Sequence, residues 1–340
     1  MAIGERLKMA RKMRGLSQQE LGDEIGVSKM SISKYEREEA TPKSSILIQL
    51  AEALDVSIEY LLRPIEVSFS QPEFRKRTKL SKKQEAKIIE NTHDWIERYL
   101  QVESLFDDIV KFDLSKNDYV INTIEDVEDV AIELREEWQL GLDPIDSLME
   151  VLENNGIKVW SINHNFEHFD ALKMWVNDDS PVIVVKDGIP GDRQRFDLAH
   201  ELGHIILKST NDLDIEKVVN RFAGAFLFPK PKVFEELGTH RNRLDLQELY
   251  LLKHKYGISI QALIYRAKDL NIISEYLMKR YFIEIRQKGW HKKEPGEEIK
   301  SEYPIKMKQL VYHALAESII SRSRAEELLQ RRLPINRLEE

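Results

Sequence analysis

Two histidines four residues apart, with a glutamate after the first, stand in DRQRFDLAHELGHIILKS, residues 192–209. On a helix that spacing puts His200 and His204 on one face, so their ring nitrogens can point at a single ion. Glu201 sits one position round, close to that ion without being aimed at it. The position suits a carboxylate that takes a proton from a metal-activated water. Phe196, Leu198, Ala199, Leu202, Ile205, Ile206 and Leu207 supply an apolar side, and the pattern predicts one helix over the whole stretch. Gly203 removes a side chain beside the second histidine, which eases close packing. The competing reading is a core helix with polar interruptions, because HExxH alone is only moderately specific.

A third ligand has to come from elsewhere in the chain. With no cysteine, thiolate ligands and disulfides are excluded, and a reducing, cytoplasmic setting is expected. In DIEKVVNRFAGAFLFP the candidate is Glu216, twelve residues after His204, on a predicted helix with Val218, Val219, Phe222, Ala225 and Phe226 as its apolar side. Asn220, one turn later, is placed to orient that glutamate. Asp212 and Asp214 are nearer in sequence but precede the helix, so their direction is less fixed. Two histidines and a carboxylate make zinc the default, although manganese suits the same set. His240, His254 and Tyr265 are of the right type to stabilise an oxyanion.

These residues need a scaffold. Three short runs, IKVWSIN, ALKMWVN and PVIVVKD, precede the histidine helix, and their β-branched and aromatic content predicts a small sheet. LDPIDSLMEVLENNG predicts a helix capped by Asp143 with Pro144 in its first turn. From Ser81 to Leu140 the pattern is helical, as is most of the chain after Pro229. YLLKHKYGISIQALIYRAKDLNIIS reads as helix, turn, helix, and ALAESIISRSRAEELL as a second such pair used for packing or dimerisation.

The first sixty residues have a different character. Leu7, Ala10 and Met13 mark a helix ending at Gly15; Ser17 caps a second that Gly26 stops; Ser28 caps a third around Ile32 and Tyr35. Thr41-Pro42 opens a fourth helix, and Ile58, Leu61 and Leu62 close the bundle. This is the layout of a helix-turn-helix, with Gly22 letting two helices approach. Anchoring by Ile32 leaves Lys29, Met30, Ser33 and Lys34 on the outer face of the third helix, within reach of base edges. Gln18 and Ser28, at the starts of the second and third helices, complete the candidate DNA-binding set. Arg6, Arg11 and Arg14 are candidates for phosphate.

The net charge of -8 is unevenly spread. Residues 103–150 carry fifteen acidic and three basic side chains, whereas 73–87 carry seven basic and two acidic, RKRTK among them. That asymmetry points to a basic, nucleic-acid-facing part joined to an acidic body, or to solvated helix faces. No apolar run approaches the length of a membrane span, and the basic N-terminus lacks a signal-peptide core.

Residues 3–62 resemble the Xre/lambda-repressor-like helix-turn-helix family, which implies a homodimer on a palindromic operator in double-stranded DNA. RFDLAHELGHIIL followed by EKVVNRFAGAFLFP resembles the ImmA/IrrE family of zinc metallopeptidases, with LREEWQLGLDPIDSLMEVLENNGIKV and PGDRQRFDLAHELGH also fitting its pattern over about 130–235. The resemblance implies His200, His204 and Glu216 as ligands and Glu201 as the catalytic group. Val219 departs from the alanine common at that place. The expected fold is therefore mainly α with a small β-sheet: an N-terminal all-α helix-turn-helix bundle over 1–66, a basic linker over 67–80, an α+β zincin-like peptidase domain over 81–275 and a helical C-terminal region over 276–340. Two functions follow. One is a DNA-binding regulator whose zinc domain cleaves a repressor, a related regulatory protein or its own linker. The other is a repressor or antitoxin whose metal domain senses or docks a partner, such as a toxin, with little proteolysis.

Overall fold

The computed structural model describes residues 3–74, 80–115, 118–162, 169–209 and 213–334; the RKRTK run and Asp212 lie outside them. The N-terminal bundle consists of α1 (Ile3–Arg14), α2 (Gln18–Ile25), α3 (Lys29–Glu36), α4 (Ser44–Leu54) and α5 (Ile58–Leu62), packed around Leu7, Leu21, Ile32, Leu50 and Leu61. Local chemistry sets its turns. Ser17 Oγ accepts from the Glu20 amide while the Glu20 carboxylate returns to the Ser17 amide, a reciprocal cap. Gly26 ends α2 in the left-handed region at φ 71°. A Cβ on Gly22 would lie 2.6 Å from the Val27 carbonyl oxygen, so only glycine lets the turn close. The fourth helix begins at Ser44, after an extended Lys43, slightly later than the Thr41-Pro42 pair suggests.

The remainder begins with β1 (Glu73–Phe74), the long α6 (Lys82–Glu103), β2 (Tyr119–Ile121), α7 (Asp126–Glu137) and α8 (Leu148–Asn154). It continues with β3 (Lys158–Ile162), β4 (Ala171–Val176), β5 (Ser180–Lys186), α9 (Gly191–Ile206), β6 (Leu207–Ser209) and α10 (Ile215–Leu227). Six further helices follow: α11 (Lys230–Leu237), α12 (Leu246–Tyr256), α13 (Ile260–Asp269), α14 (Glu275–Gln287), α15 (Lys306–Ala316) and α16 (Arg322–Leu329). The fold is mainly α with a small mixed sheet, and among the described residues no helix is long and apolar enough to cross a membrane.

The larger sheet has the order β1-β4-β5-β3, with β4 antiparallel to both neighbours and β3 parallel to β5. Alternation along the strands gives it two apolar faces. Leu172, Met174, Val176, Val182 and Val184 meet Ile88, Trp95, Ile96 and Tyr99 of α6. Val159, Ala171, Ile183 and Val185 meet Leu198, Ala199 and Leu202 of α9 in the largest core. Burial on both sides explains why these strands read as nearly continuous apolar runs. Helices α15 and α16 cover α6 through Val102, Leu310, Val311 and Leu328, so the C-terminal pair packs.

Three local expectations are corrected. The stretch 81–140 is not helical throughout, because β2 interrupts it and pairs in parallel with β6. The histidine helix accordingly stops at Ile206, and Leu207–Ser209 turns into a strand. Asp143 does not cap α8; Ser147 does, through its Oγ and the Glu150 amide. The carbonyls of Gly141 and Asp143 accept from Arg135, and those of Ile145 and Asp146 from Arg195, which holds the segment out of the helix.

The bundle and the sheet layer are joined through α1 and α6. Arg6, 1% exposed, donates from Nη1 to both Glu97 oxygens at 2.9 and 2.7 Å and from Nη2 to the Pro64 carbonyl at 2.6 Å. Arg63 adds a second contact to Glu97 at 2.8 Å, and Lys12 reaches Glu90 at 2.6 Å. Beyond Arg63 the chain runs along β4. Phe69 bridges Val176, the Ser70 amide donates to the Trp175 carbonyl at 2.9 Å, and β1 sets Glu73 opposite Lys173.

Candidate metal centre and nucleic-acid interface

Helices α9 and α10 pack closely because Gly203 faces α10. A Cβ there would come within 3.0 Å of Phe222 and 3.2 Å of Val219. The approach brings His200, His204 and Glu216 together, with one ligand atom from each lying within 4.8 Å of the others. His200 Nε2 and His204 Nε2 are 3.1 Å apart. Glu216 Oε2 is 3.7 Å from the first and Glu216 Oε1 is 3.5 Å from the second. Ligands at zinc distances in a tetrahedron are separated by about 3.3 Å, so this triangle fits that ion. The donor set of two imidazoles and one carboxylate, with no fourth protein ligand in the cluster among the described residues, also suits a site that keeps one position open.

Asn220 does more than its spacing suggested. Its Nδ2 donates to the Glu216 carbonyl at 2.6 Å, and its Oδ1 faces His200 Nδ1 at 3.1 Å. An acceptor at Nδ1 keeps the proton there and leaves the Nε2 lone pair directed at the triangle. Asn220 thus orients His200 rather than the Glu216 carboxylate. Lys173 on β4 donates to the His204 carbonyl at 3.3 Å, tying the helix to the sheet. Glu201 is 2% exposed on the same helix.

Buried ion pairs hold both helices in place. At the start of α9, Lys253 bonds Asp192 at 2.8 Å and Glu294 at 2.9 Å, while Arg195 bonds Glu302 at 2.7 Å. The Gly191 amide donates to the Ile299 carbonyl at 2.7 Å, and a Cβ on Gly191 would lie 2.2 Å from the Lys300 carbonyl oxygen. On the α10 side, Glu128 accepts from Arg266 twice at 2.7 Å and from Arg221 at 3.0 Å. Burial pushes the Glu128 carboxyl up, but the two guanidiniums outweigh it and hold it below its usual range. Sequence spacing gave no signal for these partners. The oxyanion candidates His240, His254 and Tyr265 are all exposed, the last two against Tyr250 and Phe282.

In the bundle, Lys29, Met30 and Lys34 stand exposed on α3, with Met30 60% accessible, and Ser33 is half-buried beside them. Ser28 is exposed but accepts the Ser31 amide as the helix cap. Gln18 is drawn sideways, donating to Glu36 at 2.7 Å. Two of the three arginines read as phosphate contacts turn inward. Arg6 is committed to Glu97, and Arg11 is held by Glu36 at 2.5 and 3.0 Å. Only Arg14 of the three remains substantially exposed.

A helix-turn-helix bundle and a metallopeptidase-type helix pair thus share one chain. Residues 7–61 match the helix-turn-helix family, and 153–268 match the IrrE N-terminal-like domain of the M78 peptidases, so the chain is a fusion of the two. The HTH-type transcriptional regulator ImmR of Bacillus subtilis (strain 168) is 37% identical over 68 residues, covering 20% of this chain and 54% of ImmR. The SPbeta prophage-derived uncharacterized HTH-type transcriptional regulator YonR of the same organism is 37% identical over 71 residues, 21% of this chain and 66% of its own. Repressor protein C2 of Salmonella phage P22 is 41% identical over 61 residues, 18% of this chain and 28% of its own. The chain therefore spans between about a quarter and two thirds of the length of these relatives. The crystal structure of the P22 c2 repressor protein in complex with synthetic operator 9T in the presence of Tl+ is 39% identical, covering 18% of this chain and 92% of that one, with a TM-score of 0.18.

Proposed function

We propose that this chain is a DNA-binding transcriptional regulator carrying a zinc-dependent endopeptidase site that acts on a repressor or a related regulatory protein. The observation that carries the reading is the convergence of His200, His204 and Glu216 on one point with Glu201 on the same buried helix. His200, His204 and Glu216 would hold the zinc, and Asn220 would fix the tautomer of His200. When bound, the ion supplies polarisation of a water and of the scissile carbonyl. Glu201 takes the proton of that attacking water on its carboxylate and passes it to the leaving amine nitrogen. A substrate peptide is held as an extended strand beside the sheet.

For the DNA half, the similarity of residues 7–61 to helix-turn-helix regulators supports double-stranded operator DNA as the partner, read by Lys29, Met30, Ser33 and Lys34 of α3. Dimerisation on a palindromic site belongs to the same reading. Zinc content of the purified protein, for wild type and His204→Ala together, tests the centre: one zinc per chain, lost in the variant, is expected. Cleavage of candidate repressors by wild type but not by Glu201→Gln tests the chemistry, and equal products from both would sink it. Lys29→Ala and Lys34→Ala are expected to weaken operator binding at moderate salt; unchanged binding in both removes α3 from the groove.

A further inference from the structure

The outer edge of β4 is already occupied, and by the chain's own connection between its two parts. Residues 68–74 lie along it as an imperfect antiparallel strand. The Asn177 amide donates to the Ser68 carbonyl at 3.0 Å, the Ser70 amide to the Trp175 carbonyl at 2.9 Å, and the Trp175 amide to Ser70 Oγ at 2.8 Å. Phe69 stacks on His93 with ring centroids 3.8 Å apart, and Phe74 meets Phe169 edge-on. Glu73 reaches Lys173, whose Nζ is 3.2 Å from its carboxylate and 3.3 Å from the His204 carbonyl oxygen. The edge covered by this segment is therefore within one side chain of the helix that carries His200 and His204.

We propose that residues 68–74 are a resident, displaceable occupant of the peptide-binding edge of β4, so that a substrate strand must expel this strap to reach the metal centre. The proposal rests on the peptidase reading for the word substrate, though not for the binding itself. The strap is weak by construction. Regular pairing covers only Glu73 and Phe74, Pro72 has no amide to donate, and one backbone amide of β4 is met by a serine hydroxyl in place of a carbonyl. A sheet edge left bare invites any passing strand, and a short, proline-broken cover blocks that without closing the edge permanently. Its side chains also describe what the edge selects: an extended peptide with an acidic residue opposite Lys173 followed by an aromatic one.

The test titrates a fluorescein-labelled peptide copying residues 66–74 against the full chain by anisotropy, for wild type and for Ser70→Pro. The substitution removes the amide donor to Trp175 and the hydroxyl acceptor for its amide, and it leaves β4 intact. A tethered strand competes at a high effective concentration, so Ser70→Pro is expected to bind the peptide at least about tenfold more tightly than wild type. Bound peptide should re-protect the Trp175 and Asn177 amides from hydrogen exchange. A peptide with lysine at the position of Glu73 should bind more weakly. Equal affinity for both chains, or protection elsewhere, overturns the proposal. If Ser70→Pro does not fold, wild type alone decides: excess peptide must speed exchange in 68–74, and unchanged exchange refutes the strap. Cleavage of the candidate repressors by the zinc-loaded chains separates this idea from the one beneath it. Peptide binding as expected with no cleavage by either chain upholds the strap and removes the peptidase, whereas equal cleavage by both chains removes the strap alone.

Discussion

Replacing Asn220 by alanine probes how the proposed ligand set is held without touching one of its members. Asn220 Oδ1 accepts from His200 Nδ1 at 3.1 Å, and the same amide bonds the Glu216 carbonyl, so one side chain links the two helices that meet at the centre. Alanine removes the acceptor and frees the imidazole to change tautomer or rotate. A hydrogen bond to a group carrying charge contributes about 1.5–3 kcal/mol, which corresponds to roughly 10–100-fold in a dissociation constant. Substitution of outer residues around metal-bound histidines falls in the same range, about 10–100-fold. The metal-free fold should hardly notice. Asn220 is exposed, its other bond lies within its own helix, and alanine is favoured in a helix by about 0.5 kcal/mol. The assay is zinc competition against a chromophoric chelator for both proteins, paired with thermal melting of the metal-free forms. Zinc affinity within about twofold of wild type would refute the orienting role. A drop of several kcal/mol in the stability of the metal-free protein would show that Asn220 is structural instead.

Three further outcomes follow from groups other than the proposed ligands. Glu97→Ala strands the buried Arg6 guanidinium and is expected to cost about 3–5 kcal/mol, read as a lowered urea midpoint and faster proteolysis between bundle and sheet; Arg6→Met with Glu97→Met should recover most of it. Gly203→Ala forces a Cβ to within about 3 Å of Phe222 and Val219, at a cost of about 1–3 kcal/mol in chemical denaturation, and Val219→Ala should relieve part of that loss. Burial pushes the Glu153 carboxyl up to about 7, even though it accepts the Ile305 and Lys306 amides at the start of α15. Its folded value is raised above 4.5, so its contribution is fully present below pH 4.5 and lost as pH rises through 7. Glu153→Gln should flatten the stability–pH curve across that window by about 3 kcal/mol, and an unchanged slope would place the titration elsewhere.

What could be read in the sequence was whatever has a short period. The caps at Ser17 and Ser28, the turn at Gly26, the three apolar strands and the histidine spacing all act within one or two turns of chain, so residue types alone locate them. Partners far along the chain leave no such mark. Arg6 looked like a surface cation because nothing near it in sequence announces Glu97, 91 positions on. The histidine helix looked longer than it is because Leu207, Lys208 and Ser209 take their pairing from Tyr119–Ile121. Asp143-Pro144 carries a good helix-start signal, yet Arg135 at the end of α7 and the distant Arg195 claim the carbonyls around it. Asn220 was legible as a supporting residue but not as the one facing His200, since that depends on the angle at which α10 crosses α9.

One feature of the bundle bears on how such a regulator can change. Ile32 is the sole fully buried residue of α3, while Lys29, Met30 and Lys34 of the proposed reading face make no contact that the core depends on. If that proposed face reads DNA, substitutions there would alter operator preference at almost no cost in folding. Helix α1 has no such latitude, because Arg6 and Lys12 are committed to α6. On that proposal target choice would be free to change, while the mounting of the bundle on the rest of the molecule stays fixed.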